Sequence, residues 1–203
     1  MTDGGKAVNC AGVLVGGEGK RLGAQKPFVL LKEKPLIDWV LDALRKVFER
    51  IILVGKPAPE LGKRAELVED IFPGAGPISG IYTALSYLKE PVFICACDMP
   101  FLNPALIHYQ ISLLDDFDAV VPCPKGLFEP LHTIYTPACT KPLEDLIKKG
   151  KRRPAEIFNQ LNVRILKDEE ISRYDPKGLS FFNINTREEL IKAEDIINNK
   201  YLN

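Results

Sequence analysis

Val92-Phe93-Ile94-Cys95-Ala96-Cys97-Asp98-Met99-Pro100 is the stretch whose reading decides the fold. Residues 92–97 form the clearest core strand in the chain, an apolar run that stops abruptly on an acidic residue and a proline. The runs upstream repeat the theme. Residues 10–15 make a short apolar strand that stops at Gly16-Gly17, and Ile51-Ile52-Leu53-Val54 is a compact strand of the kind buried on both faces. Leu67-Val68 is a shorter candidate, ended by Glu69-Asp70.

Helices fall between these strands. Pro35 opens one, with Ile37, Val40, Leu41, Leu44 and Val47 at helical spacing; residues 78–88 make another, entered through Gly74-Ala75-Gly76-Pro77. Beyond the central strand, Asn103-Pro104 starts a helix, asparagine capping it and proline taking the first helical position. Strands at 118–122 and 132–135, a helix at 137–149, a strand at 163–166 and a last helix at 187–198 complete the chain. Strand and helix alternate through the first half. The pattern predicts one α/β domain over residues 1–203, with a mostly parallel central sheet and helices on both faces.

The bulk properties narrow the function. The chain has 203 residues, 46% hydrophobic and 27% charged, the balance of a soluble globular protein. Lysine plus arginine equals aspartate plus glutamate, 27 each, so no net field favours nucleic acid or an acidic membrane, and any anion site must be local. No apolar run approaches the length of a membrane span. The polar, glycine-rich residues 1–6 lack a signal-peptide profile. Cys10, Cys95, Cys97, Cys123 and Cys139 read as reduced thiols of a cytoplasmic protein, and Cys95 and Cys97 stand too close together for a zinc knuckle.

Four segments carry chemistry. Leu14-Val15-Gly16-Gly17-Glu18-Gly19-Lys20-Arg21-Leu22-Gly23, with Lys26 beyond, reads as a strand emptying into a glycine-rich loop. Backbone N–H groups there can approach a phosphate chain, with Arg21 and Lys26 neutralising it. The loop lacks the Gly-Lys-Ser/Thr of a P-loop and the spacing of a dinucleotide-binding turn. Asp98, directly after a buried strand, belongs at the carboxyl edge of the sheet, where its carboxylate is well placed for Mg2+; a turn or capping aspartate is the competing reading. Asp70 could reach the same cleft or be plain surface charge. Gly74-Ala75-Gly76-Pro77-Ile78-Ser79-Gly80 opens a helix whose N–H groups could meet a ribose, a base or a phosphate, or only needs its glycines, Gly80 among them, for tight packing. In Phe182-Asn183-Ile184-Asn185-Thr186, strand periodicity turns Asn183 and Asn185 the same way, toward a metal sphere or a phosphate, while Thr186 and Glu189 form a capping box.

These segments, taken in order from about residue 9 to residue 195, resemble the molybdenum cofactor guanylyltransferases, within the small nucleotidyltransferases of Rossmann-like fold. Cys-x-Cys-Asp-x-Pro at 95–100 and Asn-x-Asn-Thr at 183–186 carry the resemblance most sharply. It implies a Mg2+-dependent reaction in which GTP and a molybdopterin-bound cofactor give the guanine dinucleotide form and pyrophosphate. By the same match Leu14, Val15, Gly16 and Lys26 contact GTP, Asp70 helps at the nucleotide, and Asp98 holds Mg2+. Val15 stands where the family usually has alanine, and Arg187 where proline is common. Partners implied are other cofactor-biosynthesis proteins and apo-molybdoenzymes.

The nucleophile so implied is a phosphate monoester, largely dianionic near neutral pH, which needs no general base. Screening two anions from each other is the task, and Arg21, Lys26 and Mg2+ on Asp98 suit it. Neither His108 nor His132 is needed as a base. Glu129-Pro130-Leu131-His132 and Lys151-Arg152-Arg153 are candidates for holding the second substrate, with a solvated surface run the competing reading of the basic trio. The rivals are transfer of CMP to the same cofactor, action on another phosphorylated acceptor, a nucleotide binder without turnover, and an interaction module.

Overall fold

Residues 10–14 and 92–96 lie side by side as parallel strands, Cys10 opposite Val92 and Leu14 opposite Ala96. In the computed structural model, which describes residues 7–16 and 25–201, they form the centre of the sheet. The elements in chain order are β1 (Cys10–Leu14), β2 (Leu30–Leu31), β3 (Lys34–Pro35), α1 (Leu36–Leu44), β4 (Arg50–Gly55), α2 (Pro59–Gly62), β5 (Glu66–Glu69), α3 (Pro77–Leu88) and β6 (Val92–Ala96). They continue with α4 (Pro104–Ser112), β7 (Ala119–Pro122), β8 (His132–Tyr135), α5 (Thr140–Lys148), β9 (Val163–Leu166), α6 (Asp168–Ile171) and α7 (Arg187–Tyr201).

Seven strands make the main sheet in the order β5-β4-β1-β6-β8-β7-β9. β8 runs antiparallel to both neighbours, and the other pairings are parallel. Numbering these seven along the chain gives 3-2-1-4-6-5-7, so the direction of winding reverses between β1 and β6. Open α/β sheets bind their ligands outside the carboxyl ends of the strands at such a reversal.

Alternate residues of β1 and β6 serve opposite faces. Ala11, Val13, Phe93 and Cys95 join a core with Ile37, Val40 and Leu41 of α1 and Leu106 and Ile107 of α4. Cys10, Leu14, Val92 and Ile94 join a second core with Ile78, Ile81 and Leu85 of α3 and Leu143 of α5. Period-2 strands with helices on both sides need both faces apolar, which is why these strands read as unbroken apolar runs. A third, smaller cluster joins Val29, Leu31 and Leu36 to Ile184 and to Ala193 and Ile197 of α7.

The helix ends follow local rules. Asn103 Oδ1 accepts from the Ala105 N–H at 2.9 Å and caps α4, with Pro104 as its first residue. Pro35 lies one residue before α1, which stops at Leu44, short of Val47. Three elements had no counterpart in the sequence reading: the β2–β3 hairpin, α2 and α6. The hairpin turns on Lys32 and Glu33, both at positive φ (50° and 63°) without the glycine or asparagine that usually marks such a turn. α2 and α6 have four residues each, too short for a helical period to register. Residues 182–185 are irregular, not strand, although Ile184 is buried between the less buried Asn183 and Asn185. All five cysteines are free, Cys123 half-buried and the rest buried. Among the described residues no helix is long and apolar enough to cross a membrane.

Candidate active site

The chain leaves β1 at the reversal point. Val15 N–H donates to Val54 O at 2.9 Å, and Leu14 O accepts from Cys97 N–H at 3.1 Å, so the ends of β1, β4 and β6 are bonded together. Leu14 and Val15 are both buried. The Val15 side chain turns into the core over Gly55, where an added Cβ would lie 2.8 Å from Val15 Cγ2. Gly55 thus makes the room that valine needs, and the bulk that valine adds over alanine is directed into the core. Gly16 is exposed, with nothing within 4 Å of an added Cβ, and offers its backbone to the cleft. Gly17 and Arg21 lie outside the described residues.

Asp98 follows β6 at the same edge. Its Oδ2 is ion-paired with Lys26 Nζ, and their side chains are 6% and 17% exposed. Lys26 Nζ also donates to Asn185 Oδ1 at 2.6 Å. Three segments separated by as many as 159 residues therefore converge on one ammonium group. The third cluster holds them there. Val29 and Leu31, just after Lys26, pack with Ile184, the neighbour of Asn185, and Ile184 N–H donates to Asp98 O at 3.0 Å. The capping box at the start of α7 fixes the other side: Glu189 Oε2 accepts from the Asn185 and Thr186 N–H groups (2.6 and 2.9 Å), and Thr186 Oγ1 accepts from Glu189 N–H.

Two oxygens, Asp98 Oδ2 and Asn185 Oδ1, face one cation here. Among the described residues no group of three or more histidines, cysteines, aspartates or glutamates could hold a metal. One carboxylate with a neutral oxygen beside it fits Mg2+, which keeps several waters and takes the rest of its shell from substrate phosphates. It does not fit zinc.

The other sequence candidates separate. Asp70 N–H donates to Gly55 O at 3.3 Å, and Asp70 Oδ1 accepts from Phe72 N–H (3.2 Å), Thr83 Oγ1 (3.3 Å) and Ser79 Oγ. Its visible work is to tie the 71–76 turn to the first turns of α3. The sequence reading assigned no role to the buried Ser79 and Thr83, and their four-residue spacing on one helix face is the signal for it. Gly80 is also buried: a Cβ there would sit 2.7 Å from Leu14 Cδ2, so what the structure displays at Gly80 is close packing of α3 on β1. Asn183 Nδ2 donates to Phe181 O at 3.2 Å, within its own segment.

Of the two second-substrate candidates, Lys151-Arg152-Arg153 is exposed and runs past Gly76, where an added Cβ would lie 3.6 Å from Arg152 O. It therefore sits against the start of α3. His132 is wholly buried and belongs to the core rather than the cleft, while Glu129 is half-buried at the carboxyl edge. His108 is exposed on α4. A cavity of 410 Å³ lined by Ala7, Pro91, Asp118, Thr136, Pro137 and Ala138 lies at the opposite edge, beside the amino ends of β1, β6 and β7.

Comparisons with known proteins show the family and the fold. Residues 11–165 match the family described as the MobA-like NTP transferase domain. A molybdenum cofactor guanylyltransferase of Desulfosudis oleivorans is 38% identical over 189 residues, covering 91% of this chain and 94% of the relative. A probable molybdenum cofactor guanylyltransferase of Peptoclostridium acidaminophilum is 32% identical, covering 93% and 89%. The crystal structure of molybdopterin-guanine dinucleotide biosynthesis protein A from Archaeoglobus fulgidus superposes with a TM-score of 0.83 at 33% identity, covering 94% of this chain and 99% of that one. A 2-C-methyl-D-erythritol 4-phosphate cytidylyltransferase from Thermus thermophilus, 16% identical with a TM-score of 0.65, shares the fold.

Proposed function

The chain belongs to the molybdenum cofactor guanylyltransferases, with their MobA-like NTP transferase domain, and from that premise we propose that it transfers GMP from GTP to a molybdopterin-type cofactor, releasing pyrophosphate. The observation that carries this reading is the convergence of Lys26, Asp98 and Asn185 at the carboxyl edge where the sheet reverses.

The acceptor's terminal phosphate oxygen forms a bond to the α-phosphorus of GTP as the bond from that phosphorus to the bridging β-oxygen breaks. The electron pair leaves with pyrophosphate. No proton has to move first, because a phosphate monoester is already largely ionised near neutral pH.

Asp98, with Asn185 beside it, would hold Mg2+, which when bound supplies positive charge against the triphosphate. Lys26 is held ready by the same two oxygens. Released to the phosphates, it adds a second positive charge where negative charge gathers in the transition state. The exposed backbone at Gly16 suits close approach of the phosphate chain, and Arg21 is assigned to the same chain from its place in the sequence. Asp70 holds the start of α3, so that the ribose or base meets a rigid edge. The same reading places the reaction in the cytoplasm, with cofactor-biosynthesis proteins and apo-molybdoenzymes as its donor and recipient.

Pyrophosphate release by the purified chain with Mg2+, molybdenum cofactor and each nucleoside triphosphate in turn tests the proposal. The expected result is release with GTP only, reduced in Asp98→Ala by about a hundredfold or more. Release with CTP would move the chain to the sister activity. GTP binding without release under any condition would make it a binder.

A further inference from the structure

The segment before β8 carries a carboxylate with no evident task in the fold. Because β8 runs antiparallel, its first residue, His132, lies opposite Cys95 near the end of β6. The residues just before it therefore reach the carboxyl edge of the sheet, across β6 from β1. Glu129 is pinned there by its own backbone: its N–H donates to Pro122 O at 3.0 Å, and its O accepts from His132 N–H at 3.0 Å and from Thr133 Oγ1 at 2.7 Å. Its side chain is half-buried, and among the described residues nothing donates to the carboxylate. Burial raises its pKa above the usual carboxylate value.

The surroundings tie Glu129 to the acceptor side. Its neighbour Phe128 packs on Phe158, ring centroids 5.1 Å apart, in the 154–160 turn that follows directly on Lys151-Arg152-Arg153. Arg152 in turn lies against Gly76 at the start of α3. A carboxylate on a pinned backbone and an exposed basic run thus belong to two adjoining segments at one edge of the sheet.

We propose that Glu129 is a specificity-determining residue for the acceptor, its two oxygens taking the adjacent N–H donors of an aminopyrimidinone ring of the pterin type. The inference rests on the acceptor chemistry of the preceding subsection. A carboxylate presents two acceptors side by side, and a 2-amino group beside a ring N3–H presents two donors at matching spacing. A half-buried carboxylate has lost part of its hydration, and a ligand that donates twice restores those bonds. Guanine carries the same donor pair, but the nucleotide's place is at the β1 end of the cleft, so the pterin is the ring that Glu129 meets.

The test is direct binding, read from pterin fluorescence, of pterin-6-carboxylate and of 6-carboxylumazine, which has an oxygen in place of the 2-amino group. The intact chain binds the pterin about tenfold more tightly than the lumazine, and Glu129→Gln loses that preference while GTP affinity stays unchanged. Equal binding of the two rings by the intact chain overturns the proposal without any variant. So does a Glu129→Gln protein that still discriminates, or one whose defect is in GTP affinity. If the intact chain discriminates between the rings but never releases pyrophosphate, the transferase reading fails and the assignment of Glu129 stands.

Discussion

At the scale of single residues, His132 has the most to say about stability. Its ring sits between Phe93 and Phe181 at centroid distances of 5.1 and 5.0 Å, and neither ring nitrogen has a hydrogen-bond partner among the described residues. Desolvation lowers its pKa from 6.5 to about 4, against weaker raising effects from its own backbone and Asp175. The folded pKa lies below the unfolded one, so the unfolded chain takes up the proton first. Stability contributed by the neutral ring is complete above about pH 6.5 and falls by roughly 1.4 kcal/mol per pH unit below it, about 3 kcal/mol in all by pH 4. Urea unfolding from pH 4 to 7 should show this slope and should show it flattened in His132→Leu. Equal slopes in the two proteins would mean that the ring is not desolvated. The sequence placed His132 in a four-residue segment meant for the second substrate. His132 begins β8, a strand buried at all four positions, whereas Glu129 precedes it half-buried, so residues of one short segment need not share an environment.

Among the elements, the contact of α3 with β1 is the tightest that the cleft depends on. Gly80 lets Leu14 pass beneath the helix, and its neighbours on α3 hold Asp70. Gly80→Ala gains helix propensity of about 1 kcal/mol but forces a methyl onto Leu14 Cδ1 and Cδ2 (3.0 and 2.7 Å). Overpacking should win, with a net loss of about 1–2 kcal/mol in denaturant unfolding. Leu14→Ala should then cost less in the Gly80→Ala background than alone, and strict additivity would sink this account. The helix itself was legible, since residues 78–88 have the right period and Pro77 the right place. What periodicity could not separate is a glycine needed for a ligand from one needed for a neighbouring leucine.

For the whole molecule, the third cluster decides whether there is a site. Ile184 is wholly buried among Val29, Leu31 and Leu36 and stands between the two asparagines. Ile184→Ala should cost about 3 kcal/mol by leaving a cavity. It should also lower pyrophosphate release about tenfold at a temperature where the variant is still folded, because Lys26 and Asn185 lose their common support. A variant that is destabilised but turns over at the normal rate would show that the Lys26–Asn185 contact does not depend on this cluster.

The sequence by itself determined the strand and helix alternation, the two-faced core strands, the placement of Asp98 at a strand end and the capping of α4 and α7. All of these are local: a period, a cap or an abrupt stop is written in a handful of adjacent residues. Only the tertiary structure decided that Lys26, Asp98 and Asn185 meet, that Val15 turns into the core over Gly55, that β8 is reversed, and that Glu129 and the basic run at 151–153 lie on adjoining segments. These depend on strand order and on packing between residues far apart in the chain, and side-chain packing of that kind has no period for a linear reading to detect.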